Sequence, residues 1–248
     1  MSFKNVKIYY LYHSGYAMEI DSDFFIFDYW SKYKQNNKDN ILNRIQNKDV
    51  FKDKSNIYVF VSHNHRDHFD PVILDWADIN TNIRYILSDD IVIDKSVGNF
   101  YYISPYETID VDNINIKAYG STDEGVSFLV KAYGLSIFHA GDLNWWYWYY
   151  ESTEDEMKEY EHLYKNEIEK ISGENIDIAF FPVDPRLKEY YYKGGEYFIE
   201  NLKPKLFMPM HFGDKYEITK LFKDKVNCFP VEVVEILYKG QEIKYEKS

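Results

Sequence analysis

Apolar positions open the chain in three short runs, over residues 6–12, 16–20 and 24–28, with Asp21-Ser22-Asp23 as the turn between the last two. Runs of that length bounded by turn residues predict strands. A polar stretch over residues 31–40 resembles a linker, yet no new domain follows it. Ile57-Tyr58-Val59-Phe60-Val61 is apolar without interruption, the pattern of a strand covered on both faces, and it stops abruptly at Ser62-His63. Asp70-Pro71 supplies a cap and a proline for a helix over about residues 71–77. Short alternating segments then recur over residues 83–138, clearest at 114–119, 127–131 and 136–139. The spacing of Met157, Tyr160, Leu163, Tyr164, Ile168 and Ile171 predicts one helix over residues 151–171, with Thr153 and Glu156 as a capping box and Gly173 as its stop. A buried strand over 176–183, a helix over 195–202, a strand over 205–210, a short helix near 216–223 and strands over 232–238 and 242–245 complete the pattern. Gly194-Gly195 reads as a turn before its helix. Strands in both halves with helices between them predict a mixed α/β (α+β) sandwich.

The dense chemical signal sits where the buried strand stops. His63-Asn64-His65-Arg66-Asp67-His68 gathers three imidazoles and a carboxylate in six residues. Such nitrogen and oxygen donors suit zinc, iron or manganese. In an extended turn His63 and His65 point one way and Asp67 and His68 face a second point, so one loop could serve two metals. A chance cluster of solvated histidines is the competing account, at odds with a buried strand ending in four such groups.

His63-x-His65-x-Asp67-His68 resembles the signature loop of the metallo-β-lactamase-fold hydrolases. Ile137-Phe138-His139-Ala140-Gly141-Asp142 is similar to that family's strand ending in a bridging aspartate, Phe207-Met208-Pro209-Met210-His211 to its late strand ending in a histidine, and Asp28 to its early structural aspartate. The resemblance spans about residues 6–215. It implies a four-layer αββα sandwich over a single domain, residues 1–248. It further implies that His63 and His65 bind a first divalent metal, that Asp67, His68 and His211 bind a second, and that Asp142 bridges. Asp67 would also orient the attacking water. One element departs: the stretch from Ala118 to Gly125 has no histidine to complete the first metal's set, and Asp123 or water would stand in for it. Zinc is the first choice of metal, with manganese or iron as alternatives, and one or two ions per chain. His13-Ser14-Gly15, Gly125-Val126-Ser127-Phe128 and Phe181-Pro182-Val183-Asp184 are similar to the branch that includes the ascorbate-6-phosphate lactonase. That branch implies hydrolysis of a small ester, lactone or phosphate-bearing metabolite. A metal-binding member without turnover is the alternative, motivated by the missing histidine.

Three further features have two readings each. The aromatic run Trp145-Trp146-Tyr147-Trp148-Tyr149-Tyr150 begins three residues after Asp142, so Trp146 is a candidate substrate wall or lid, or the run packs core or a subunit interface. Arg186 in Asp184-Pro185-Arg186 could grip a carboxylate or phosphate, or form a strand-end salt bridge. His13 lines the site or caps a turn. His139 reads as a core or supporting histidine and His162 as solvated.

Charge and composition narrow the partners. The formal net charge of −12 disfavours nucleic acid, and with it a nucleic-acid phosphodiesterase. The only cysteine, Cys228, excludes an internal disulfide and a cysteine zinc site, in keeping with a cytoplasmic protein. No run approaches the roughly 20 apolar residues of a membrane span. A small-molecule substrate, no membrane and a homo-oligomer built on the aromatic run are the expectations. The 19% aromatic content goes with abundant Lys, Asn and Ile, a compositional bias that lends little weight to tyrosine counts.

Overall fold

The computed structural model describes residues 6–31, 40–94 and 98–246; most of the polar stretch 31–40 lies outside them. The chain divides into two compact units, Met1–Ile103 with Tyr238–Ser248, and Ser104–Leu237.

The first unit is a seven-stranded mixed sheet. Its strands are β1 (Val6–Tyr12), β2 (Gly15–Ile20), β3 (Asp23–Phe27), β4 (Asn56–Val61), β5 (Ile83–Ser88) and β6 (Asn99–Ile103), with β14 (Glu242–Tyr245) from the chain's end beside β1. The β14, β1, β2 and β3 edges pair antiparallel, whereas β3 through β6 run parallel. Every residue of β3 is buried and β4 is buried from Ile57 on, as an uninterrupted apolar run requires. One core gathers Phe24, Ile26, Val59, Tyr85 and Leu87 with Phe51, Trp76 and the short helix α1 (Ile41–Gln46). The segment after Asp70 is a 3₁₀ helix, Pro71–Trp76, rather than α, capped as expected by the Asp70 side chain on the Val72 N–H at 3.1 Å.

The second unit is also a seven-stranded mixed sheet. In order it contains β7 (Thr108–Val111), β8 (Ile114–Tyr119), β9 (Ser127–Ala132), β10 (Leu135–His139), α2 (Glu154–Ile171), β11 (Ile178–Pro182), α3 (Lys193–Leu202), β12 (Leu206–Met210), α4 (Glu217–Lys225) and β13 (Glu232–Val233). Here β7 through β10 are antiparallel, and β10, β11, β12 and β13 are parallel. Phe181, Phe198, Phe207 and Phe222 form an aromatic seam joining sheet to helices, at centroid distances of 4.5 to 6.3 Å.

Three local expectations change. Leu163 is exposed: the helix buries the narrower stripe Tyr164, Ile168 and Ile171, and Leu163 lies one helical step off it. The strand after residue 232 ends at Val233, because the Ile236 N–H is taken by the Thr219 hydroxyl of α4 at 3.0 Å. Gly194 and Gly195 lie inside α3, where a Cβ on Gly195 would come within 2.6 Å of the Phe222 ring and one on Gly194 within 1.9 Å of Asn144. Close approach, not turn geometry, is what requires glycine there. The capping box of Thr153 and Glu156 is present in full.

Candidate metal centre

In the first unit the chemistry gathers at the carboxyl ends of two neighbouring parallel strands, where open α/β sheets place their ligands. Asp28 follows β3 directly and adopts φ 44°, a left-handed conformation that Asp tolerates better than most residues. Its backbone N–H donates to Phe60 of β4 at 3.0 Å, which turns the carboxylate toward the loop after β4. There Asp28 accepts the Ser62 N–H at 2.8 Å, the Ser62 hydroxyl at 2.7 Å and the Nδ1–H of His68 at 2.7 Å. Both side chains of the Asp28–His68 pair are 0% exposed. A carboxylate accepts only, so His68 carries a proton on Nδ1, which leaves Nε2 as the nitrogen that could face an ion. With the Ser62 hydroxyl proton on Asp28, the 2.9 Å contact from His63 Nδ1 makes Ser62 the acceptor and puts the His63 proton on Nδ1 as well.

The loop itself is not extended. The His65 carbonyl accepts from the N–H groups of His68 and Phe69 at 3.0 and 2.8 Å, which closes a helical turn over residues 65–69. His63 and His65 do face each other, Nε2 to Nδ1, at 3.0 Å. His13 takes φ 54° in the β1–β2 turn and sets its Nε2 3.3 Å from Asp67 Oδ2. Burial works to raise the Asp67 pKa, but the His13 bond and the positive potential of His68 and His13 outweigh it and hold the carboxyl well below its usual range. Asp90, just beyond β5, pins the Asn64 N–H at 2.8 Å.

The second unit repeats the pattern on β10, β11 and β12. His211 follows β12 with φ 66° and is buried. Its Nδ1–H donates to Asp184 Oδ2 at 2.9 Å, and its Nε2 stands 3.3 Å from Asp142 Oδ1. Burial alone would lower the His211 pKa, but the charge and bond of Asp142, with those of Asp184, carry it up to about 9. Asp184 is likewise pushed up by burial, yet the bonds from His211 and Arg186 bring it down to about 2. Arg186 binds the same carboxylate through its backbone N–H (2.8 Å), Nε (2.8 Å) and Nη2 (2.5 Å). Trp146 donates its indole N–H to the Asp142 carbonyl at 3.0 Å and sets its ring edge-on to His211 at 5.4 Å. Asp123 is exposed and brings a ligand oxygen within 4.8 Å of one on Asp142. His139 is a core histidine that accepts the Gly141 N–H at 3.2 Å, and His162 is exposed.

These donors fit a divalent cation. Two ligand atoms on a common ion with bonds of roughly 2.1 Å lie about 3.4 Å apart at a tetrahedral angle, close to the 3.3 Å between His211 and Asp142. Ligand atoms of His63 and His68, and of His13, Asp67 and His68, also fall within 4.8 Å of one another. Three buried imidazoles, those of His63, His68 and His211, have Nδ1 on a hydrogen-bond partner, which aims Nε2 as the nitrogen for an ion once it carries no proton.

A model of the Beta-lactamase superfamily domain matches residues 7–211. The chain belongs to that superfamily. Among solved structures, a metallo hydrolase from the hyperthermophilic archaeon Ignicoccus hospitalis is similar to 99% of this chain and 100% of its own, with 17% identity and a TM-score of 0.70. CmlA, a diiron beta-hydroxylase from Streptomyces venezuelae, is similar over 100% of this chain and 55% of its own, at 12% identity and a TM-score of 0.61. A diphosphatase of the PhnP family is similar over 97% and 98%, at 13% identity and a TM-score of 0.53. At such identities the likeness is one of fold, and the α/β sandwich class read from the sequence is the class of this superfamily.

Of the residues that sequence reasoning missed, Ser62 carries no signal beyond its place between a buried strand and His63. Trp148 had one: two residues from Trp146 in the run, it stacks parallel to it at 5.7 Å and 3°. Thr122 bridges by hydrogen bonds to the backbone of Asn144 at 2.6 and 2.9 Å, a contact no local pattern announces.

Proposed function

We propose that the protein is a metal-dependent hydrolase of the Beta-lactamase superfamily acting on a small ester, lactone or phosphate-bearing metabolite. The observation that carries this reading is the repeated device of a buried carboxylate on Nδ1 of a buried histidine, Asp28 on His68 and Asp184 on His211. Such carboxylates fix ring orientation and raise ligand basicity. His63, His65, Asp67, His68, Asp142 and His211 are the ligands in this reading, with Asp123 completing the set that lacks a histidine. A divalent cation held there supplies Lewis acidity and brings the pKa of a coordinated water from 15.7 to about 7. The chain's own residues do the rest. Asp67, kept ionised beside His13, accepts a proton-bearing group and orients it, and Trp146 and Arg186 bound the substrate. Zinc is the first choice of ion, with manganese as an alternative; iron is the rival that the diiron enzyme on this fold supports. The lactonase-like phrases and the diphosphatase on this fold favour lactone and phosphate substrates in turn. A cytoplasmic single domain over residues 1–248, with no nucleic-acid or membrane partner and a capacity to self-associate, goes with the acidic balance, the lone cysteine and the aromatic run. Among the described residues no helix is long and apolar enough to cross a membrane.

A second reading, metal binding without turnover, is favoured by one observation: no histidine stands between Ala118 and Gly125. Metal content by mass spectrometry, on protein purified without chelator, tests both together with His65→Ala and His211→Ala. About two ions per chain, falling in either variant, supports the hydrolase. Metal-dependent turnover of a panel of lactones, thioesters and phosphodiesters, abolished by Asp67→Asn, removes the second reading; metal without any turnover removes the first.

A further inference from the structure

Beside His211 the second unit opens a cavity of about 250 Å³, lined by Thr122, Asp123, Trp146, Trp148, Tyr160 and Arg186. The volume lies below the ~300–1,000 Å³ of drug-sized sites, so it suits a small head group with a short body rather than a polymer. Its floor is rigid. Trp146 is tied to Asp142 by its indole N–H, Trp148 stacks parallel on it, and the Arg186 guanidinium stands 5.9 and 5.5 Å from the two ring centres. Asp184 grips one edge of the Arg186 guanidinium through Nε and Nη2 and holds its backbone N–H as well, which pre-sets the rest of the fork, and the side chain is still 61% exposed. A planar cation held this way, over an aromatic floor and open to solvent, is the arrangement that binds a carboxylate or phosphate with little ordering cost. Asp123 brings a carboxylate to the same wall, and the chain carries a net charge of −12. A second anionic group on the ligand is therefore repelled.

We propose that this cavity is the specificity subsite for one anionic group, a carboxylate or a phosphate, borne on a small flat or apolar body, with Arg186 binding the anion and Trp148 the body. Calling that ligand the substrate rests on the hydrolase reading; the binding itself does not. In the metal-free chain, where Asp123 keeps its full charge, the ligand class excludes polyphosphates.

The test uses the full chain, as purified with its metal and again after chelation, titrated with phenylphosphonate, benzoate, methylphosphonate, pyrophosphate and uncharged benzyl alcohol while tryptophan fluorescence is followed. Phenylphosphonate or benzoate saturates, whichever is tighter naming the source of the anion, and benzyl alcohol does not. Arg186→Gln weakens that binding about ten-fold or more, with Arg186→Lys between the two, the loss expected for a charge-assisted pair. Equal affinity in wild type and Arg186→Gln, or tighter binding of pyrophosphate to the chelated chain, overturns the subsite and leaves Arg186 as a strut for Asp184. Should Arg186→Gln fail to fold by circular dichroism, Trp148→Leu decides. Loss of the preference for phenylphosphonate over methylphosphonate supports the subsite, and its retention overturns it. Metal content of the same samples separates the two claims, since a chain that carries no metal as purified and takes none up when zinc, manganese or iron is added, yet still binds anions through Arg186, sinks the hydrolase reading alone.

Discussion

Two histidines, one in each unit, are held by the same device in different surroundings. His68 and Asp28 are both fully buried, and that carboxylate also accepts two bonds from the buried Ser62. His211 and Asp184 are almost as buried, at 3% and 1% exposure, but Asp184 also carries the solvent-exposed Arg186. In both units a residue beyond a strand end accepts a left-handed backbone, Asp28 in one and His211 in the other, so a costly conformation is tolerated where a side chain must be aimed. The first support is sealed, and its carboxylate serves His68 and the buried Ser62. The second also reaches a cavity wall, and the same carboxylate orients His211 and the guanidinium that lines the cavity.

The largest effect should fall on the sealed support. Asp28→Ala leaves the His68 Nδ1–H, the Ser62 N–H and its hydroxyl buried without an acceptor, and is expected to cost about 3–5 kcal/mol in urea unfolding. A loss below about 1 kcal/mol would mean that water enters the first support, and the contrast with the second would collapse.

Much of this was legible in the chain. The abrupt end of an apolar run at His63, the Gly141-Asp142 pair and the strand ending in His211 marked the candidate ligands, because a parallel strand's carboxyl end is both buried and terminated by a loop. Helix α2 was legible from its capping box. What could not be read was whatever depends on contacts distant in sequence: Asp28 meeting His68 forty residues on, Asp184 meeting His211, the turn that closes the histidine loop. Local pattern shows that Gly195 is punctuation, but only packing shows that Phe222 demands it. The ambiguity of Arg186 had the same source. It forms the strand-end salt bridge and lines the cavity at once, two outcomes that a sequence presents as alternatives.

Removing metal should come next in size. Ion at about a hundred times its dissociation constant adds roughly 2.7 kcal/mol to the folded state, which for a chain of this size raises Tm by roughly 5–10 °C. Differential scanning fluorimetry with zinc, then with chelator, measures it. An unchanged Tm would reduce both carboxylate–histidine pairs to packing devices. Asp184→Ala is expected to cost less than Asp28→Ala, about 1–3 kcal/mol, since the released Arg186 fork turns to water and the buried His211 Nδ1–H, with the half-buried Arg186 backbone N–H, loses its acceptor. Equal losses at the two aspartates would erase the distinction drawn from Arg186.

The smallest effect separates the two supports by pH in chelated protein. Asp184 has its folded pKa lowered from 3.8 to about 2, so its contribution is present above about pH 4 and fades as pH falls toward 2. His211 is shifted the other way, from 6.5 up to about 9, so its contribution is complete below pH 6.5 and is lost as pH rises through 9. The pair therefore stabilises most between about pH 4 and 6.5. Asp184→Asn should carry its full penalty there and lose about 1 kcal/mol of it by pH 9.5, where His211 has given up its proton in wild type as well. Urea midpoints for wild type and variant across pH 4–10 measure the difference. A penalty that stays flat through pH 9 would mean that His211 is neutral throughout and that Asp184 acts on it by a neutral hydrogen bond, as a metal-ready imidazole would need no proton to lose.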